Sequence, residues 1–266
     1  MVLRDELNRF LADLYQYQNF DDYCENGLQV EGKEKIKNIV FGVSFNRPFL
    51  EKALEQEPDA IIVHHGIFQQ GVFKLTGVLK QRVKMLLDHD ISLFGIHLPM
   101  DGHLELGHNA LLLKSIDAEG IEPFELGAWG ENAKGHTLDR ILEIFHKELH
   151  PEGFAGENNG DESSIFSLSK KHGFLILENG PEVPKKIAVI TGGSSGYYEK
   201  AVEKGMDTFF GGDIKEKIPA ISYETRTNFV NLGHYYSEKP GVLALKKLIA
   251  EKFVVQTDYI EIPNPV

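Results

Sequence analysis

The residues of this chain best suited to chemistry are imidazoles and carboxylates in three short groups. These are His64-His65, His97-Leu-Pro-Met-Asp101 and His234-Tyr-Tyr-Ser-Glu238. Imidazole nitrogens combined with carboxylate oxygens suit borderline divalent metals such as Zn, Fe, Mn, Co or Ni. Each group directly follows an apolar run, at 60–63, 91–96 and 229–232. Short apolar runs of this kind read as β-strands, and open α/β sheets place ligand sites beyond the C-terminal ends of their strands. The pattern points to one metal site, assembled by folding, for one ion or two. Solvated loop histidines would explain any single group, but the repetition at three equivalent positions favours metal.

Spacing constrains how these groups converge. Neighbouring strand residues point to opposite faces, so His64 and His65 can meet only where the strand ends, and Gly66 permits a turn there. Pro99 between His97 and Asp101 argues against a helix, which leaves a turn. Pro240-Gly241 closely follows Glu238, which predicts that His234 and Glu238 lie in a loop leading into the next helix. A pair of ions would need a bridging carboxylate, for which Asp101 or Glu238 is the natural candidate.

The elements that must position these groups alternate. Apolar residues at helical spacing predict a helix over 3–19, followed by a strand over 36–43. Asn46 can cap a helix with Pro48 in its first turn, running to about 56. The strand at 60–64, a helix near 77–89, the strand at 91–97 and a helix over 110–116 follow. This order predicts a largely parallel sheet with covering helices. Residues 117–180 contain a helix at 138–149 but otherwise show weak periodicity and a polar Gly- and Asn-rich loop at 154–161. Alternation resumes with strands at 186–190 and 208–210, a helix at 197–204, a strong helix at 242–253 and a final strand at 254–261. The echo between the halves hints at a duplicated α/β unit. The expected division is a first lobe of 1–122 and 226–266 carrying most of the metal site, and a second, smaller lobe of 123–225.

The totals bound the function. With 266 residues and 42% hydrophobic content, the chain can bury one large core or two smaller ones. A formal charge of −12 argues against nonspecific nucleic-acid binding. No apolar run approaches a membrane span, and the amphipathic N-terminus lacks a signal-peptide core. Cys24 is the only cysteine, so no internal disulfide forms and metal ligation must rest on nitrogen and oxygen. A cytoplasmic location is expected.

Four strings carry a family resemblance: Val63-His-His-Gly-Ile-Phe68, His97-Leu-Pro-Met-Asp-Gly-His-Leu-Glu-Leu-Gly-His-Asn109, Gly233-His-Tyr-Tyr-Ser-Glu238 and Glu25-Asn-Gly-Leu-Gln-Val30. Together they resemble the Nif-three-like family, the GTP cyclohydrolase 1 type 2 homologues, over nearly the whole chain. The resemblance implies two α/β lobes around an inter-lobe cleft and a dinuclear metal centre. Its ligands would be His64, His65, Asp101, His234 and Glu238, with His97 as a possible sixth. It also implies a ring-like homohexamer and GTP cyclohydrolase activity. The chain departs from the family pattern at His108, where Asn is common, and in lacking a histidine often found downstream of Gly211-Gly-Asp213. His108 reads as a helix-capping or surface residue, or as an extra ligand.

The remaining candidates are weaker. Thr191-Gly-Gly-Ser-Ser-Gly196 lies between a strand and a helix, where an anion could bind, with Ser194 and Ser195 as donors. A tight structural turn is the favoured reading, and the anion cradle is the alternative. His97 or His103 could transfer protons, since imidazole titrates near neutral pH. For His103 and Glu105 together a solvated polar loop is the favoured reading, and support of the site or an acid–base pair the alternative. Tyr235 and Tyr236 either line a pocket or pack on the sheet, and Phe68 forms a pocket wall or core. His146, His150 and His172 receive no role. The function expected is metal-assisted hydrolysis of a small-molecule substrate, a nucleotide (GTP by resemblance) or a phosphoester. The alternative is a non-enzymatic metal-binding scaffold or regulatory ring for protein partners.

Overall fold

A computed structural model of the chain describes residues 1–72, 74–149 and 168–264. They form two compact units of mixed α/β structure. One comprises Met1–Met100 and Gly241–Ile262, and the other Asp101–Pro240 with a short segment from Pro263. The boundaries therefore fall at 100/101 and 240/241 rather than near 122 and 226, and the second unit is not the smaller. The reason lies in sheet pairing. The strand Glu119–Phe124, which the expected boundary would cut, pairs antiparallel with Gly127–Glu131, and Asn228–Asn231 pairs parallel with Thr208–Gly211, so both belong to the second sheet.

The first unit is built on a five-stranded sheet. Its spatial order is Gln256–Tyr259, Asn38–Ser44, Ala60–His65, Ser92–Gly95 and Gly27–Val30. The first four strands are parallel and the last is antiparallel. Strands covered on both faces read as continuous apolar runs, and Ala60, Ile61, Ile62 and Val63 are all buried. Each fully buried Val or Ile side chain contributes about 1.5–3 kcal/mol, which pins this strand as the spine of the unit. Asn46 caps the helix Arg47–Leu54, its side chain accepting from the Phe49 amide at 2.9 Å, as its sequence position predicts. A Cβ on Gly42 would lie 2.3 Å from the Phe49 ring, so the glycine lets this helix close onto the sheet. The N-terminal helix runs only over Arg4–Tyr15, shorter than its periodicity suggests. Gln16 adopts a left-handed conformation (φ 48°) and ends it, and a single 3-10 turn follows.

The second unit carries a seven-stranded sheet, ordered Glu119–Phe124, Gly127–Glu131, Lys186–Ile190, Thr208–Gly211, Asn228–Asn231, Phe174–Glu178 and Ser169–Lys171. Its three central strands are parallel and its flanking strands antiparallel. The weakly periodic region 117–180 thus supplies sheet edges, where one exposed face dilutes the apolar signal. The helix Leu138–Leu149 buries Leu138, Ile141, Leu142, Phe145 and Leu149, a single stripe at 3.6-residue spacing. Phe145 packs edge-on against Phe210 with ring centroids 4.9 Å apart. The polar loop expected at 154–161 lies outside the described residues. No helix among the described residues is long and apolar enough to cross a membrane.

Candidate metal centre

In the first unit, three histidines gather at the C-terminal edge of the parallel strands. His64, His65 and His97 present ligand atoms that all lie within 4.8 Å of one another. Their ring centroids are separated by 4.5 Å (His64–His65), 5.1 Å (His64–His97) and 5.5 Å (His65–His97). Strand geometry explains the convergence of the adjacent pair. Pairing with Ser92–Gly95 stops at Val63, whereas pairing with Asn38–Ser44 continues to His65. His64 thus stands just beyond the end of one ladder and can swing across it, its Nδ1 lying 2.8 Å from the Ile96 carbonyl oxygen.

Gly66 serves this arrangement by close approach rather than by an unusual backbone angle. A Cβ there would meet the Gln29 side chain at 2.2 Å, and one on Gly95 would meet it at 2.5 Å. Gln29 accepts from the Ile67 amide at 2.8 Å and donates to the Glu25 carbonyl at 2.6 Å, clamping the turn after the histidine pair.

His97 is held from the segment 22–26. Its amide donates to Asn26 Oδ1 at 2.7 Å, and its Nδ1 lies 2.8 Å from Asp22 Oδ1. Burial works against the charge on Asp22. Hydrogen bonds from His97, Asn26 and the Cys24 amide outweigh it and hold the carboxyl at about 2. The Cys24 thiol is pushed up to about 12 by burial and by the Asp22 charge, so it stays protonated near neutral pH.

This donor set fits a divalent ion. A carbonyl oxygen and a carboxylate can only accept, so the Nδ1 atoms of His64 and His97 must be the donors. The lone pairs then reside on Nε2, the arrangement in which histidines bind metals while their other nitrogen is anchored.

In the second unit, the remaining candidates lie at sequence positions where local structure differs from expectation. Asp101 ends a one-turn helix, Leu98–Asp101, despite Pro99. Proline is tolerated there because first-turn amides have no intrahelical acceptor. His234 begins another short helix, His234–Ser237, rather than a loop, with Gly233 at φ 81° leading in and Glu238 at its end.

The His234 and Glu238 side chains meet at 3.2 Å between Nε2 and Oε1. Glu238 raises the His234 imidazole above its ordinary value against the effect of burial, and Asp213 adds in the same direction. Asn109 fixes Asp101 by donating to its carbonyl at 3.0 Å while accepting from the Thr191 amide at 2.8 Å. The Thr191 hydroxyl lies 3.3 Å from Asp101 Oδ1. The next residue, Gly192, has φ 68°, and a Cβ there would lie 2.5 Å from Glu238 Oε1.

Other expectations resolve residue by residue. His108 is fully buried in the first turn of the helix His108–Ser115, with a ligand atom within 4.8 Å of one on Asp101, so it is not a surface residue. Both serines of the 191–196 loop are engaged internally. Ser194 Oγ donates to the Ile190 carbonyl, and Ser195 gives its amide and hydroxyl to Asp213 at 2.7 and 2.9 Å. A carboxylate thus occupies the place an anion would take, and the loop is a structural turn.

His103 Nδ1 accepts the Glu105 and Leu106 amides at 3.1 Å each, so the neutral ring carries its proton on Nε2. Tyr235 and Tyr236 are buried, edge to face, and Phe68 packs on the core of the first unit. A further trio, Asp139, Glu143 and His172, could also hold a cation by distance. It is more open to solvent, and Arg140 pairs with Glu143 at 2.6 Å.

Asp22, Asn26, Gln29 and Asn109 carry no chemical role in the sequence, and Thr191 stands out there only as the first residue of the candidate anion loop. The 25–30 string was visible as a motif, but nothing in it names a chemistry, and Asp22 looks like one more acid of a polar stretch.

Known proteins share this fold and much of this sequence. The sequence profile of Duf34/NIF3 (NGG1p interacting factor 3) matches residues 2–265. Proteins named GTP cyclohydrolase 1 type 2 homolog are 34% identical in Haemophilus influenzae and 32% identical in Archaeoglobus fulgidus. The alignments cover 98% and 97% of this chain and 98% of each relative. Among solved structures, TTHA1606 from Thermus thermophilus superposes with a TM-score of 0.86 at 26% identity, covering 100% of both chains. Reduced HcgD from Methanocaldococcus jannaschii shares the fold, with a TM-score of 0.80 at 20% identity over 98% of each chain.

Proposed function

Because the chain belongs to the Duf34/NIF3 family, we propose that it holds two divalent ions and uses them to hydrolyse a nucleotide or another phosphoester. The carrying observation is the trio His64, His65 and His97, whose ligand atoms lie within 4.8 Å of one another. Imidazoles packed so closely, with the Nδ1 atoms of His64 and His97 anchored, are arranged for a cation that all three share. Asp101, His234 and Glu238 would supply the remaining ligands.

Zn, Fe, Mn, Co and Ni all suit such nitrogen and oxygen ligands. Bound ions of this kind lower the pKa of water and polarise substrate oxygens. In this reading His97 is a ligand through Nε2. His103 is the candidate for proton transfer, donating from Nε2 to a departing group. GTP is the first substrate to try, because the curated relatives carry the name GTP cyclohydrolase 1 type 2 homolog. A homohexamer acting in the cytoplasm completes the proposal.

The test is metal analysis of the purified chain, followed by a hydrolase screen with GTP and phosphomonoesters and phosphodiesters under each metal. Metal-dependent turnover that disappears in the His64→Ala/His65→Ala double variant supports the reading. Unchanged metal content in that variant sinks the ligand assignment. Full metal loading with no turnover on any substrate class transfers support to a metal-stabilised scaffold.

A further inference from the structure

We propose that Asp22 is the positioning residue that makes His97 a metal ligand, holding the ring by Nδ1 so that Nε2 is presented to the ion. The proposal rests on the metal-binding reading above and adds a residue outside its ligand set. Four donors converge on the Asp22 carboxylate. Oδ1 faces His97 Nδ1 at 2.8 Å and accepts from the Cys24 amide at 2.9 Å. Oδ2 accepts from the Leu98 amide and from Asn26 Nδ2, both at 2.9 Å. Both side chains are nearly inaccessible, at 3% for Asp22 and 7% for His97, so water does not compete for the contact.

A carboxylate saturated by donors cannot itself donate, and Nδ1 must therefore carry the imidazole proton. A free neutral imidazole favours the opposite tautomer, with the proton on Nε2, which would block coordination through that nitrogen. The hydrogen bond made by one ring nitrogen decides which form exists.

The same loop also fixes where the ring sits. Asn26 receives the His97 amide at 2.7 Å. The Tyr23 ring packs edge-on against the imidazole at 4.9 Å, with its hydroxyl 3.5 Å from Nε2. Backbone, ring plane and tautomer of His97 are thus set by residues 22–26, a segment distant from it in sequence. Histidine ligands lacking such an anchor lose affinity by about 10- to 100-fold.

The experiment compares the wild-type chain with Asp22→Ala and Asp22→Asn. Zn(II) affinity is read by competition with a chromophoric chelator. The His97 tautomer is read in the metal-free protein by long-range 15N–1H correlation. The expected result is Nδ1–H in the wild type, a shift toward Nε2–H in Asp22→Ala, and Zn(II) affinity lower by about 10-fold or more in whichever variant folds. A purely structural role would lower the thermal midpoint while leaving tautomer and affinity unmoved. Affinity within twofold of wild type in a folded variant, or Nε2–H already in the wild type, overturns the proposal alone. A wild-type chain that binds no Zn(II) overturns the metal reading and this proposal with it.

Discussion

The substitution Gly192→Ala isolates the second unit's share of the ligand set. Gly192 sits at φ 68°, and an added Cβ would lie 2.5 Å from Glu238 Oε1 and 3.4 Å from His234 Nε2. Two costs follow. Alanine in the left-handed region costs about 1–2 kcal/mol. The second cost falls on the site, because ordinary contact begins at 3.4 Å and the Glu238 carboxylate would have to withdraw by about 0.9 Å. Metal–ligand distances tolerate only about 0.2 Å, so the carboxylate would leave the coordination sphere proposed for it. Divalent-metal affinity should fall by about 100-fold, the upper end of what a disturbed ligand support costs.

Gly193→Ala is the matched control. Its Cβ would meet only His234 Cε1, at 3.9 Å, an ordinary contact. Chelator competition with Zn(II) or Mn(II) on both variants measures the difference, and urea unfolding of the metal-free proteins separates the backbone cost. Wild-type affinity in Gly192→Ala, or equal damage in Gly193→Ala, would refute the reasoning.

Further outcomes follow from the same contacts. Asn109→Ala removes the partner of the Asp101 carbonyl and of the buried Thr191 amide. At about 1–3 kcal/mol for each buried group left unsatisfied, the second unit should lose about 2–6 kcal/mol. Urea unfolding followed by the fluorescence of Trp129, the single tryptophan and a residue of that unit, reads this directly. Burial raises the Asp59 carboxyl, but hydrogen bonds from Lys33 and from the Lys37 and Asn38 amides outweigh it, leaving the pKa below its ordinary 3.8. A depressed acid contributes stability that is complete above its unfolded value and is lost as pH falls through the folded one. Thermal midpoints by circular dichroism should therefore fall less steeply below about pH 4 in Asp59→Asn than in the wild type. Phe145→Ala, which empties a fully buried ring site against Phe210, should cost about 3–5 kcal/mol by the same fluorescence assay.

How much of this was legible in the sequence depended on the kind of signal. Buried parallel strands announce themselves as apolar runs, so the strands ending at His65 and Ile190 and the Asn46 cap were readable. The antiparallel edge strands Glu119–Phe124 and Ser169–Lys171 were not, because their exposed residues erase the periodicity. The division into units was misjudged for a related reason. It depends on which strands pair, and pairing between Thr208–Gly211 and Asn228–Asn231 leaves no local trace.

Of the candidate site, the histidines and acids were visible because few other residue types do their chemistry. Their anchors were not, since Asp22, Gln29 and Asn109 are ordinary polar residues until folding brings them to His97, Ile67 and Thr191. Proline and glycine signals misled in detail. Pro99 fits the first turn of a short helix, and Gly66 serves its turn through a close neighbour rather than through an unusual backbone angle.

The most direct measurement of the central claim is anomalous diffraction from crystals of the chain grown with Zn(II) or Mn(II), collected on both sides of the metal edge. Two anomalous peaks per chain are expected, coordinated by His64, His65, His97, Asp101, His234 and Glu238, with His64 and His97 binding through Nε2. Peaks elsewhere, or none on these residues at saturating metal, would contradict that claim.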